Sequence, residues 1–181
     1  HVHNTMTVPQ LKAWSITNYL TEKFTTDQTE RLEAAMEQMM SGKISQNNFF
    51  EKLNKPFIEG GVGMCKSTAI SYTLRITDIL KEVKSCLAHL KKKTERGKLR
   101  MVTSLRKFLI KDYHGYLNAD HIERLDKIIY DRAFGLLSAQ EFRRLVDLPF
   151  ADGGVGLHVA TAEHLAEGLE IVLAQLYEAR Q

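Results

Sequence analysis

A short segment of this chain occurs twice. Pro56-Phe57-Ile58-Glu59-Gly60-Gly61-Val62-Gly63 returns as Pro149-Phe150-Ala151-Asp152-Gly153-Gly154-Val155-Gly156, 93 residues later. The offset holds well outside the segment. Asp27, Glu30, Arg31 and Leu32 recur as Asp120, Glu123, Arg124 and Leu125. Gly42, Ser45 and Phe49 recur as Gly135, Ser138 and Phe142, and Thr68 and Ala69 as Thr161 and Ala162. Ile76, Ile79, Leu80 and Val83 align with Leu169, Val172, Leu173 and Leu176. One extra residue before Asn118 brings Trp14 over Phe108 and Tyr19 over Tyr113. Caps, stops and apolar positions recur together, which is the mark of a doubled supersecondary unit.

The local pattern within each copy is helical. Thr7 and Gln10 form a capping box with Pro9 in the first turn, and Leu11, Trp14 and Tyr19 follow at helical spacing. Thr25 and Gln28 open a second helix, which Gly42 ends in a left-handed cap. Ser45 caps a short third helix carrying Phe49, Phe50 and Leu53, and Pro56 stops it. After the glycines a long helix is expected from about Lys66 to Lys91. The second copy repeats the order. Leu105, Phe108, Leu109 and Tyr113 mark its first helix and Asp120-His121-Ile122-Glu123 opens its second. Ser138 and Glu141 box the third, and the last runs from about His158 to Glu178. No segment alternates as a strand would. The expectation is an all-α protein: two tandem copies of a four-helix unit, namely helix, helix, short helix, Pro-Phe/Gly-rich corner and long helix.

The expected boundaries are 1–6, a tag or upstream remnant; 7–93, the first copy; 94–101, a basic connector; and 102–181, the second copy. The chain is 44% hydrophobic and 26% charged, ordinary values for a chain with a core. A net charge of +3 imposes no nucleic-acid reading by itself. Apolar runs fall far short of the ~18 residues that a membrane span needs, and no signal-peptide pattern opens the chain. Cys65 and Cys86 form neither a CxxC pair nor a zinc spacing. The pattern is that of a soluble protein of the cytoplasm or another reducing compartment.

The corner residues Pro56, Phe57, Gly60, Gly61 and Gly63, with Pro149, Phe150, Gly153, Gly154 and Gly156, are read as structural. Glycines allow positive φ and close backbone approach, which a sharp reversal needs. Phe57, Phe150, Val62 and Val155 are expected to plug the corner into the core, with Glu59 and Asp152 accepting from glycine N–H groups or from the start of the long helix, where the dipole favours a carboxylate. A phosphate loop is the competing reading. Gly60 to Ser67 nearly fits G-x-x-x-x-G-K-[ST], but Cys65 replaces the last glycine, a helix precedes instead of a strand, and the second copy lacks Lys-Ser. Pro-x-x-x-Gly-Gly-x-Gly followed by an alanine-containing helix resembles a segment downstream of the catalytic core in some retroelement reverse transcriptases. That likeness covers about thirty residues of each copy. The paired aspartates of a polymerase site do not accompany it.

Other chemistry is sparse. His158 and His164 do not share a helix face, and His114 and His121 lack converging partners. Cys65, beside Lys66 near a helix start, is the better placed thiol. The second copy is read with His158 at Lys66's place and Leu157 nearer Cys65's. No catalytic residue, metal site or cofactor is assigned. The basic stretch Lys91, Lys92, Lys93, Arg96, Lys98 and Arg100 is the candidate anion or nucleic-acid contact. Its plain alternative is a solvated turn whose lysines favour a helix C-terminus. The expected function is a non-catalytic protein–protein interaction or scaffold module, part of a larger protein. Nucleic-acid binding through the basic connector is the alternative.

Overall fold

The computed structural model describes residues 6–21 and 23–180, with side chains to residue 176. The expected amino-terminal remnant lies, up to residue 5, outside the described residues. Eight α-helices and no strand occur among the described residues: α1 Val8–Leu20, α2 Thr26–Met40, α3 Gln46–Asn54, α4 Lys66–Leu90, α5 Glu95–Ile110, α6 Ala119–Ala133, α7 Ala139–Asp147 and α8 Val159–Arg180. A one-turn 3₁₀ helix follows α3 at Phe57–Glu59 and another follows α7 at Phe150–Asp152. The element order therefore repeats, and the protein is all-α.

Local chemistry explains the helix starts. The side chains of Thr7, Thr25 and Ser138 each accept from the N–H three residues on. The glutamine or glutamate at that position returns a bond to the cap's own N–H. Ser45, Thr94 and Asn118 cap α3, α5 and α6 by the same side-chain bond. Gly42 and Gly135 take the left-handed conformation beyond α2 and α6. No helix among the described residues is long and apolar enough to cross a membrane.

The chain divides into two compact units. One holds the residues through Lys81 together with those from Ala174, and the other holds Glu82–Leu173. In the first, α1 packs on α2 and α2 on α3; in the second, α5 packs on α6 and α6 on α7. Each unit has its own core at matched positions. Leu32, Met36, Phe49, Leu53 and Ile76 are fully buried, and so are Leu125, Ile129, Phe142, Val146 and Leu169. Burying each of these side chains contributes about 1.5–3 kcal/mol against the entropy of ordering the chain. The long helices α4 and α8 each begin in one unit and end in the other.

Two expectations about the second copy change. Of the stretch 94–101, residues 95–101 are helical. Thr94 caps α5, which runs from Glu95, so only Lys91, Lys92, Lys93 and Thr94 separate α4 from α5. Glutamate, lysine and arginine are good helix formers, and a cap suffices to start them. Gly97 is buried because a Cβ there would lie 2.6 Å from His89 O. Its role is close approach of α5 to the end of α4. Tyr113, expected in the first helix of the second copy, lies beyond the end of α5 at Ile110.

Candidate functional site: the glycine corners and the basic turn

The corners resolve a bonding problem. The last carbonyls of a helix have no partner within it. At the end of α3, Val62 N–H donates to Lys52 O (3.0 Å), Met64 N–H to Leu53 O (2.9 Å) and Gly63 N–H to Lys55 O (2.9 Å). Gly60 N–H donates to Phe57 O and Gly61 N–H to Pro56 O, both at 3.0 Å. The second corner repeats this: Val155 N–H to Leu145 O (2.9 Å), Leu157 N–H to Val146 O (3.0 Å), Gly153 N–H to Phe150 O (3.1 Å) and Gly154 N–H to Pro149 O (3.0 Å). Gly60 and Gly153 turn the chain at φ +100° and +101°. A Cβ on Gly61 would sit 2.1 Å from Lys55 O, and one on Gly154 2.0 Å from Leu148 O. The conformation thus demands glycine twice over, once for the sign of φ and once for space.

These bonds correct the carboxylate expectation. The N–H groups of Gly60, Gly61, Gly63, Gly153 and Gly154 donate to backbone carbonyls, not to Glu59 or Asp152, whose side chains are exposed. They point into their own chain rather than around a phosphate. Phe57 does not plug the core either, being 38% exposed, while Phe150 is half-buried. The buried plugs are Val62 and Val155.

An arginine from the preceding helix holds each corner. Arg31 on α2 donates through Nη1 to Phe57 O (2.5 Å) and Gly61 O (2.8 Å), its guanidinium 3.6 Å from the Phe57 ring centre. Arg124 on α6 donates through Nη1 to Phe150 O (2.6 Å) and Gly154 O (3.0 Å), 3.9 Å from the Phe150 ring centre. A planar guanidinium can bond through its edge while its face lies on a ring. Gln28 adds a bond to Val62 O (2.9 Å) in the first corner, whereas its counterpart His121 packs on Phe150, ring centres 4.7 Å apart. The recurrence of arginine at the 93-residue offset was the available signal.

The basic residues are only partly brought together. Lys92, Arg96 and Arg100 line, with Thr94 and Gly97, an open cavity of about 300 Å³ at the start of α5. No carboxylate among the described residues lines it. Lys98 instead turns onto Phe134, its ammonium 5.0 Å from the ring centre. Lys91 and Lys93 sit exposed on the turn and do not line the cavity.

The two thiols differ sharply. Cys65 is exposed at the start of α4, with its sulfur 3.5 Å from Ser67 Oγ and 3.0 Å from Thr68 Oγ1. Those hydroxyls bring its pKa down to about 7. Cys86 is buried, and desolvation pushes its thiol far up. Ala69 N–H donates to Cys65 O and Ala162 N–H to His158 O, both at 2.9 Å. His158 therefore occupies Cys65's place, not that of Lys66, and its Nδ1 accepts from Ala160 N–H at 3.1 Å. No group of three or more His, Cys, Asp or Glu side chains among the described residues could hold a metal ion.

The copies diverge on one exposed helix face. Ile70 and Leu74 of α4 are 43% and 55% exposed, and Ile58 beside the first corner is 94% exposed. At the equivalent positions α8 carries Glu163 and Glu167, also exposed, and the second corner carries Ala151. Ile70 and Leu74 fit a helical apolar rhythm and so do not stand out within their own helix; setting the copies against each other position by position picks them out. No family model, curated protein or solved structure matches the chain.

Proposed function

We propose that this chain is a non-catalytic protein-interaction module and that the exposed face of α4 is its docking surface. The observation that carries this reading is the pair Ile70 and Leu74. Solvent-facing aliphatics occupy positions where the sister helix places glutamates at similar exposure. Exposed aliphatic clusters mark interaction sites when a polar solution is available to the same backbone. Here the second copy supplies that solution. The corners serve the module by anchoring the start of each long helix, and their polar groups are consumed in doing so.

The test uses residues that the protein already tolerates. Ile70→Glu/Leu74→Glu gives α4 the side chains that α8 bears. This variant should keep its helical circular dichroism and lose cross-links formed through Lys66 and Lys81, mapped by mass spectrometry against wild type. Unchanged cross-links would overturn the assignment of this face.

A second reading rests on the carboxylate-free cavity at Lys92, Arg96 and Arg100, which suits a phosphate backbone. A mobility shift on single- and double-stranded nucleic acid at low salt, abolished by Lys92→Ala/Arg96→Ala/Arg100→Ala, would support it. No shift at low salt removes it.

A further inference from the structure

The docking face on α4 still needs an occupant. Resting on that reading of α4, we infer that the occupant is the same face of α4 on a second copy of this chain, the two helices running antiparallel about a two-fold axis.

One row of residues carries the pairing. Lys66, Ile70, Leu74 and Asp78 follow one another at four-residue intervals along α4. Residues so spaced form a ridge on a helix, and two such ridges interdigitate in the commonest crossing of packed helices. Lys66, Ile70 and Leu74 are exposed and Asp78 is half-buried. Exposed Ser67 and Ser71 flank the row and are small enough to let a second helix close on it. All of these residues belong to the compact unit that runs through Lys81, so the face is complete within one unit.

The row is its own complement when reversed. A two-fold axis at the level of Tyr72 brings Ile70 level with the second copy's Leu74, and Leu74 level with its Ile70. The same axis sets Lys66 against the second copy's Asp78, and Asp78 against its Lys66. Aliphatic contacts then lie at the centre, and an ion pair closes each end. Asp78 also interacts within its own chain, and an ionised carboxylate has acceptor positions for more than one donor. Lys81 falls one turn further out, level with the second copy's Gly63 and past the start of its helix. Moving the axis two residues either way destroys the match. With the axis at Ile70, Leu74 would face Lys66; with the axis at Leu74, Ile70 would face Asp78.

The sister helix lacks this property. At the four equivalent positions α8 carries Val159, Glu163, Glu167 and Ile171. The same reversal would oppose Glu163 to Glu167, which like charge disfavours, and Ile171 is buried in its own chain. An isologous contact uses one patch on both chains and closes at two. A single helix pair buries less than a standard interface, so the association is of the weak, concentration-dependent kind.

Wild-type protein gives the first readout. An equimolar mixture of nitrogen-15-labelled and unlabelled chains, coupled with a zero-length carbodiimide, should yield a mixed-label peptide joining Lys66 to Asp78. Within one chain these residues lie about 18 Å apart along α4, too far for a zero-length link. Sedimentation equilibrium over a range of concentration should fit a monomer–dimer scheme that stops at two chains. Lys66→Glu and Asp78→Lys each oppose like charges at both ends and should each weaken the dimer about tenfold or more. Their equimolar mixture pairs opposite charges at both ends and should regain the dimer. Circular dichroism verifies that the variants fold; if Asp78→Lys does not, the wild-type link and the loss in Lys66→Glu decide. A wild type that stays monomeric, one that grows past two chains, a dimer without the Lys66–Asp78 link, or a mixture no tighter than its components overturns the pairing. A monomeric wild type whose Lys66 and Lys81 cross-links to a different protein still depend on Ile70 and Leu74 would change only the occupant and leave the docking face in place. An Ile70→Glu/Leu74→Glu variant that dimerises as wild type does and keeps those cross-links would remove both.

Discussion

Gly61 and Gly154 have no room for a methyl group, because the nearest atom is a backbone carbonyl oxygen that cannot swing away. Gly61→Ala and Gly154→Ala should each destabilise by about 3 kcal/mol or more, seen as a lower urea midpoint. Gly42→Ala and Gly135→Ala meet open space and should lose only the left-handed penalty, about 1–2 kcal/mol. Cys65 should be the reactive thiol. The Ser67 and Thr68 hydroxyls favour its thiolate, so iodoacetamide should alkylate it with a half-maximal rate near pH 7. Cys86 should stay unmodified in the folded protein. The glycines were legible in the sequence, since nothing else repeats Gly-Gly-x-Gly at one offset. The arginine clamps were visible only as repeated residues. Their partners are carbonyls some 26 and 30 residues away, and a side-chain bond to a distant backbone leaves no mark in sequence spacing.

At the level of elements, α4 and α5 are joined by a buried polar contact. Glu82 accepts from Ser104 Oγ at 2.8 Å and from the Cys86 thiol at 3.3 Å. Burial raises its carboxyl above the usual range, against the opposing pull of these hydrogen bonds. The folded chain therefore holds this proton more tightly than the unfolded one. The stability it contributes is full below the unfolded value and is lost as pH rises through the folded one. Glu82→Gln keeps an acceptor for Ser104 and removes the buried charge. It should stabilise the protein at pH 7 by about 1 kcal/mol, and the gain should shrink as pH falls through the raised folded value and be gone below about pH 4.5 in urea titrations. Most elements were legible because their caps are written in residue types: Thr7, Thr25, Ser45 and Ser138 all start helices as expected. The start of α5 was not. A lysine- and arginine-rich run resembles a solvated linker, and what makes it a helix is Thr94 together with the close packing of Gly97 on His89 O.

For the molecule as a whole, the repeat in sequence and the compact units in space divide the chain differently. The unit around α1, α2 and α3 also takes residues from Ala174 onward, and Gln175 Nε2 donates to Lys12 O at 3.1 Å. The unit around α5, α6 and α7 takes the end of α4 from Glu82. Residues 7–93 and 94–181 expressed apart should each show weakened helical signal and a broad thermal transition, and should recover both on mixing. Two fragments that fold fully alone would contradict this. The recurring order of helix caps and buried positions was legible in the sequence; the division into units was not, since a helix reads the same whichever unit receives its end. Because α4 and α8 run on as continuous helices through these crossings, neither unit can melt without fraying a helix that the other needs. A calorimetric scan should therefore trace a single endotherm, with two architectural bodies behaving as one cooperative block.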